Sequence, residues 1–217
     1  MKTVLQLVLW IVCIILGYLI YNSVTGPIEF DKIKKERFAD VIDRLKDIRN
    51  SQEAYKSVNG KFAGNFDQLI KFIDIGSYVI TTQRDSSYME FDKTLGIDMP
   101  REVRIIDTLG FVSVKDSLFG TSDRWKNLMK VPHAANNETF TLKAEMLEQG
   151  GYNAPVFEAS DAKNVILADQ PADLLARENA ALSVEEVNGS EIKVGSLTKV
   201  STSGNWPPIY DKKGDQQ

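Results

Sequence analysis

The residue types that most often carry chemistry are sparse and dispersed in this chain. His133 is the sole histidine and stands between Pro132 and Ala134 in a stretch that reads as loop. A catalytic role for it needs a nucleophile or a carboxylate at hand. Cys13 is the sole cysteine and falls inside an apolar run, so a standard zinc set of cysteines and histidines cannot be assembled. The sequence contains no G-x-S-x-G, Walker A or G-x-G-x-x-G pattern; Gly60-Lys61 and Gly195-Ser196 lack phosphate-loop spacing and read as turns. Asp161, Asp169 and Asp173 are too widely spaced for the dense oxygen ligands of a calcium loop. These residues predict no catalytic group, no metal ligand and no cofactor, and point to a non-enzymatic protein. Of the large aromatics, Trp125 reads as core, while Trp206, beside Pro207-Pro208, is the candidate contact for a partner.

What the chain has in place of a reactive constellation is a strongly patterned N-terminus. From Val4 to Tyr21 the only residues outside the apolar and aromatic sets are Gln6 and Gly17. As a helix this run is about 27 Å long, close to the hydrocarbon thickness of a bilayer. Val4, Leu9, Trp10, Ile14, Gly17 and Tyr21 are the residues assigned to a transmembrane anchor spanning residues 1–25. Tyr18 and Tyr21 fall at one end, where amphipathic rings favour the headgroup level. The competing reading is a cleaved signal peptide, whose apolar core is shorter and ends in a small-x-small site; Tyr21 to Gly26 offers no Ala-x-Ala. Lys32, Lys34, Lys35 and Arg37 follow the run, and the positive-inside rule alone would place the remainder in the cytoplasm. Those charges begin well past the span and alternate with Glu29, Asp31 and Glu36, and long domains translocate largely regardless of charge. The net charge of −4 gives no attraction for phosphate backbones, so nucleic acid is not an expected partner.

Gly26-Pro27 reads as a break, with Pro27 in the first turn of a second helix that ends at Asn59-Gly60. Phe38, Val41, Leu45, Ile48, Gln52 and Tyr55 recur at helical spacing and form one stripe, flanked by charged residues that face water. Such a stripe packs on a sheet of the same chain, the favoured reading, or forms a coiled-coil seam with a partner. Gly60 suits the left-handed position after the helix, Phe62 turns back over the helix end, and Asn65 caps a short second helix containing Leu69.

The helix-end motif Gln52-Glu53-Ala54-Tyr55-Lys56-Ser57-Val58-Asn59-Gly60-Lys61-Phe62-Ala63, followed by Leu69, resembles that of type IV pilins and of the pseudopilins of type II secretion systems. The motif residues here are Asn59, Gly60, Phe62 and Leu69, with Phe62 in place of the usual Tyr and Ala63 in place of Pro. The chain also resembles single-pass proteins of Bacteroidetes in which a similar stem precedes Lys-Asp-Ser-Leu-Phe-Gly, here Lys115 to Gly120. The resemblance implies a pilin-like fold over roughly the first 72 residues and a place in the bacterial inner membrane, with the soluble part in the periplasm. The prepilin cleavage site and the glutamate of the pilin hydrophobic helix have no counterpart here, which implies an unprocessed anchor.

Beyond residue 75 the pattern shifts to short β-prone runs: Tyr78–Thr82, Val103–Ile106 and Phe111–Val114. Phe140–Glu145 and Pro155–Ala159, flanking Gly150-Gly151, read as an antiparallel pair. Val184–Val187 and Glu191–Val194 read as a hairpin closed by Asn188-Gly189, and Pro171 to Leu182 holds a helical turn or two. The expected fold is α+β: an N-terminal transmembrane helix and an amphipathic stem helix, then an antiparallel β-rich domain. The expected divisions are 1–25 anchor, 27–75 stem and short second helix, 76–200 β-rich domain and 201–217 loose tail. The expected function is a membrane-anchored structural or assembly component of an envelope secretion or pilus-like machine. The alternative is a stand-alone tethered protein-binding module. The expected partners are the lipid bilayer and other protein subunits of an envelope complex, with a homo-oligomer left open.

Overall fold

The computed structural model describes residues 2–92, 97–149 and 151–210. One helix dominates: α1 runs unbroken from Lys2 to Asn59, about 87 Å at 1.5 Å per residue. Its two halves differ. Every described side chain from Thr3 to Val24 is exposed, whereas from Phe30 onward one face is buried. Phe38, Val41, Ile42, Leu45 and Ile48 each expose 1% or less. The amphipathic stripe is therefore spent on the chain's own domain. The expected break at Gly26-Pro27 is absent, since Pro27 lies inside α1. Proline disfavours a helical predecessor through a clash between its Cδ and the preceding Cβ, and Gly26 has no Cβ. What remains is the loss of one backbone donor and the crowding of the Ser23 carbonyl by the ring, which α1 absorbs without ending.

Gly60 adopts a φ of +71° and ends α1, its N–H donating to the Lys56 carbonyl at 2.8 Å. The short helix α2 (Phe66–Ile75) follows, its N-terminus capped by Asn65, whose Oδ1 accepts from the Gln68 N–H at 2.9 Å. Leu69 and Ile73 of α2 are fully buried against α1.

Two separate sheets follow. The strands β1 (Ser77–Asp92) and β2 (Ile97–Ser113) pair antiparallel as an isolated ribbon. The runs Val103–Ile106 and Phe111–Val114, which read as separate strands in the sequence, belong mainly to the single strand β2; Val114 opens the short helix α3 (Val114–Phe119). Leu109 is the extra residue where the register shifts between Ile80 and Thr81, so β2 continues through a bulge. A 3₁₀ turn (Asp123–Asn127) carries Trp125, which is buried at 5% exposure.

The second sheet has the order β3-β4-β5, with β3 Thr141–Gln149, β4 Tyr152–Ala162 and β5 Glu191–Gly195. Cross-strand partners Leu142↔Ala159, Ala144↔Phe157 and Ala159↔Val194 put the apolar set on one face, which packs with α1 in the core. Gly151 has a φ of +81° at the β3–β4 turn, while Gly150 lies outside the described residues. Between β4 and β5 come the single turn α4 (Lys163–Ile166) and α5 (Ala172–Asn179).

The expected Val184–Val187 hairpin arm does not form, and neither is the C-terminal segment loose up to residue 210; one cause explains both. The outer edge of β5 is occupied by residues 203–205, through a Val194↔Gly204 bridge, Gly195 N–H to the Ser203 carbonyl and Asn205 N–H to the Lys193 carbonyl. The Val187 carbonyl instead accepts from Lys163 Nζ at 2.6 Å, and Asn188 Oδ1 accepts from the Ser183 N–H. Residues 211–217 of the expected tail lie outside the described residues.

Candidate anchor and docking surfaces

The anchor residues Val4, Leu9, Trp10, Ile14, Gly17 and Tyr21 are all exposed along the free half of α1, Trp10 at 70%. An apolar helix with no cover in its own chain is unfavourable in water, at about 25 cal/mol per Å² of exposed apolar area. Length and composition make α1 long and apolar enough to cross a membrane.

The helix-end motif forms a lock at the far end of the stem. Gln52, fully buried, donates from Nε2 to the Ala63 carbonyl at 2.9 Å and accepts at Oε1 from the Ala63 N–H at 2.8 Å. This reciprocal pair closes the loop that leaves α1. Tyr55 packs edge-on to Phe72 at 5.1 Å, and Phe62 lies against Phe157 of β4 at 4.7 Å, with the Lys56 ammonium 4.9 Å from its ring centroid. Asn59 is exposed and its side chain donates back to the Tyr55 carbonyl at 3.0 Å. A proline at position 63 would remove the N–H that Ala63 donates.

The end of the body next to the exposed half of α1 holds a buried ion cluster that sequence reading missed. Lys163 exposes nothing, and its Nζ donates to Glu178 Oε1 at 2.8 Å and to the carbonyls of Glu178 and Val187. Glu178 Oε2 accepts from Lys34 of α1 at 2.9 Å, and Lys34 also pairs with Asp31 and Glu186. Burial alone would pull the Lys34 pKa down, but hydrogen bonds to Glu178 and Asp31 outweigh it and hold the ammonium above its ordinary range. An open groove of about 1300 Å³ lies over this cluster, lined by Asp31, Lys34, Phe38, Glu178, Val187 and Tyr210. No periodicity signals Lys163 or Glu178; only their later meeting with Lys34 does.

The chemistry-bearing residues do not converge. His133 sits in an exposed turn at φ +63°, its Nε2 2.8 Å from Asp40 Oδ2 on the stem, and so ties that turn to α1. Asp169 is held by both guanidinium nitrogens of Arg37, which keeps its carboxyl far below the usual range. Asp161 lies half-buried on β4, away from that pair. Among the described residues no group of three or more His, Cys, Asp or Glu is placed to hold a metal ion. Trp206, the candidate partner contact, is buried at 9% within the core and not offered to a partner. The docked 203–205 segment carries it inward, which its proline-bearing surroundings did not reveal.

A second exposed surface, besides the apolar half of α1, is the β1–β2 ribbon. At about 3.3 Å per residue it extends about 50 Å. None of its described residues is buried, and Val79, Met89, Ile106, Leu109 and Phe111 are exposed at 53–70%. Cross-strand ion pairs Arg101–Glu90, Arg84–Asp107 and Arg104–Asp85 hold it, at 2.6, 3.4 and 3.6 Å. A two-stranded ribbon of this kind is only marginally stable alone in water.

No protein-family model matches this chain, and neither the curated proteins nor the solved structures contain a significant match to it. The chain is an α+β protein in which a long apolar N-terminal helix precedes a small antiparallel sheet domain.

Proposed function

We propose that this chain is a non-enzymatic, single-pass structural subunit of a bacterial envelope assembly of the pilin or pseudopilin kind, anchored in the inner membrane with its body in the periplasm. The observation that carries the reading is the division of one continuous helix into an uncovered apolar half and a half buried in the chain's own α+β body. Phe30, where burial begins, lies nine residues beyond Tyr21, a rise of about 13 Å. The headgroup layer takes up about 5–8 Å of that on each side, so the body would ride close to the membrane surface. The unbroken passage through Pro27 makes this a stiff mount and not a flexible tether. The motif from Gln52 to Phe62 supports the pilin-like part of the reading.

Fractionation of cells expressing the full chain tests it. The chain is expected to stay with membranes after an alkaline carbonate wash, to be shaved by protease added to spheroplasts, and to migrate in mild detergent as part of a larger complex. Recovery from the soluble fraction with an N-terminus after Tyr21 would overturn the anchor. A strictly monomeric chain in mild detergent and in cross-linked membranes would overturn the assembly role.

A further inference from the structure

The β1–β2 ribbon has two open edges and, among the described residues, none that is buried, and the charge pattern of one edge is complementary to itself. In β2 the residues flanking Val103 carry opposite charges, Glu102 and Arg104. No residue of β1 is flanked in that way. A two-fold axis normal to the ribbon pairs β2 antiparallel with β2 of a second copy and keeps each residue on its own face, so the axis must pass through a residue. With the axis at Val103, Glu102 lies opposite Arg104 of the second copy twice over, Arg101 lies opposite Ile105, and Met99 opposite Asp107, with no like charges directly opposed. Moving the axis one residue either way places Glu102 against Glu102 or Arg104 against Arg104, which is repulsive. Axes at Arg101 or Arg104 also oppose an arginine and an aspartate, but each sets an arginine against its own copy, so Val103 is the centre that pairs opposite charges with no like pair.

We infer that β2 is a self-assembly edge: two copies of this chain join their ribbons into a four-stranded sheet centred on Val103. The occupant is a second copy because the edge is polar and periodic in its own mirror sequence, while a lipid surface would ask for one continuous apolar face. The ribbon has none: Met89 and Ile106 stand on one face, Tyr88 and Val103 on the other. Pro100 removes one donor per chain from the new ladder, as edge strands tolerate. The inference gives the partner for the assembly proposed above, and it stands or falls without regard to the anchor, because pairing at this edge is read whether or not the chain is in lipid.

Cysteine scanning in the full chain, in membranes of expressing cells and in a Cys13→Ser background, tests the register. Under mild oxidation Val103→Cys is expected to form disulfide dimers at least tenfold faster than Ser86→Cys, because Ser86 pairs with Val103 inside one ribbon and both β2 strands lie between it and its own copy. Glu102→Arg, which faces only Ser87 within its own ribbon, is expected to lower cross-linking of the Val103→Cys chain at least tenfold, and addition of Arg104→Glu with Asp85→Arg, which keeps the 85–104 ion pair in reversed form, to restore it. All these positions are exposed, so the substitutions leave the body folded, as circular dichroism would verify. Equal cross-linking at 103 and 86, a charge swap that fails to restore pairing, or capture of a different protein at position 103 would each overturn the inference.

Discussion

Lys163 and Glu178 face each other with no exposure for the one and 5% for the other, Nζ 2.8 Å from Oε1. The carboxylate is shared, since Lys34 of α1 holds the other oxygen. Removing one member of a buried pair leaves an uncompensated charge and costs about 3–5 kcal/mol. Glu178→Gln is expected to be the more damaging change, because two ammonium groups then face one neutral amide. Lys163→Met should cost less, with Lys34 still neutralising Glu178. Urea unfolding of both variants in detergent, followed by circular dichroism, checks the order; the reverse order would show that Lys163 acts mainly through its carbonyl contacts.

The lock between Gln52 and Ala63 sets a second expectation. Ala63→Pro deletes a buried N–H and leaves Gln52 Oε1 without its donor. An unsatisfied buried polar group costs about 1–3 kcal/mol. Gln52→Leu leaves both backbone groups of Ala63 unpaired and should cost at least as much. Thermal unfolding of each variant measures this. A stabilising Ala63→Pro would show that proline rigidity of the loop outweighs the lost bond.

Periodicity made the stem legible: Phe38, Val41, Leu45, Ile48 and Gln52 share a stripe because helix geometry forces it, whatever covers them. The β3–β4 pair was legible through its flanking glycines. What local pattern could not show was competition among distant segments. Asn188-Gly189 is a sound turn signal, but residues 203–205 occupy the β5 edge and Lys163 takes the Val187 carbonyl, so the local hairpin loses. Trp206 moved from surface to core for the same reason. The length of the ribbon was hidden because its strands alternate on neither face cleanly, lacking a core to impose period two.

Because no described residue of β1 or β2 is buried, the ribbon contributes little to the body's stability. Replacing residues 82–107 by Asn-Gly, which closes a tight turn between the paired Thr81 and Thr108, is expected to leave the melting temperature of the body within a few degrees. The same deletion should abolish any assembly that depends on the ribbon. A body that fails to fold after this change would show that the ribbon is part of the fold and not an appended arm.

Asp161 gives the stability a pH dependence with a definite sign. Burial on β4 comes first among its causes, aided by the charges of Glu138 and Glu191, and pushes its pKa up to about 6. The unfolded chain protonates the same group near ~4. The folded state therefore holds this proton more tightly, and the group's contribution is fully present below pH ~4 and is lost as the pH rises through about 6. Its Oδ2 also lacks a hydrogen-bond partner, so the Ala162 N–H that favours the ionised form is outweighed by burial. Asp161→Asn, neutral throughout, is expected to gain stability relative to the native chain as the pH rises from 4 to 7. The side chain is only half-buried, and solvent screening reduces the gain to about 1 kcal/mol. Denaturant unfolding of both proteins across that range measures it. Parallel curves for the two would mean that Asp161 keeps an ordinary pKa in the folded chain and that its carboxyl is well solvated.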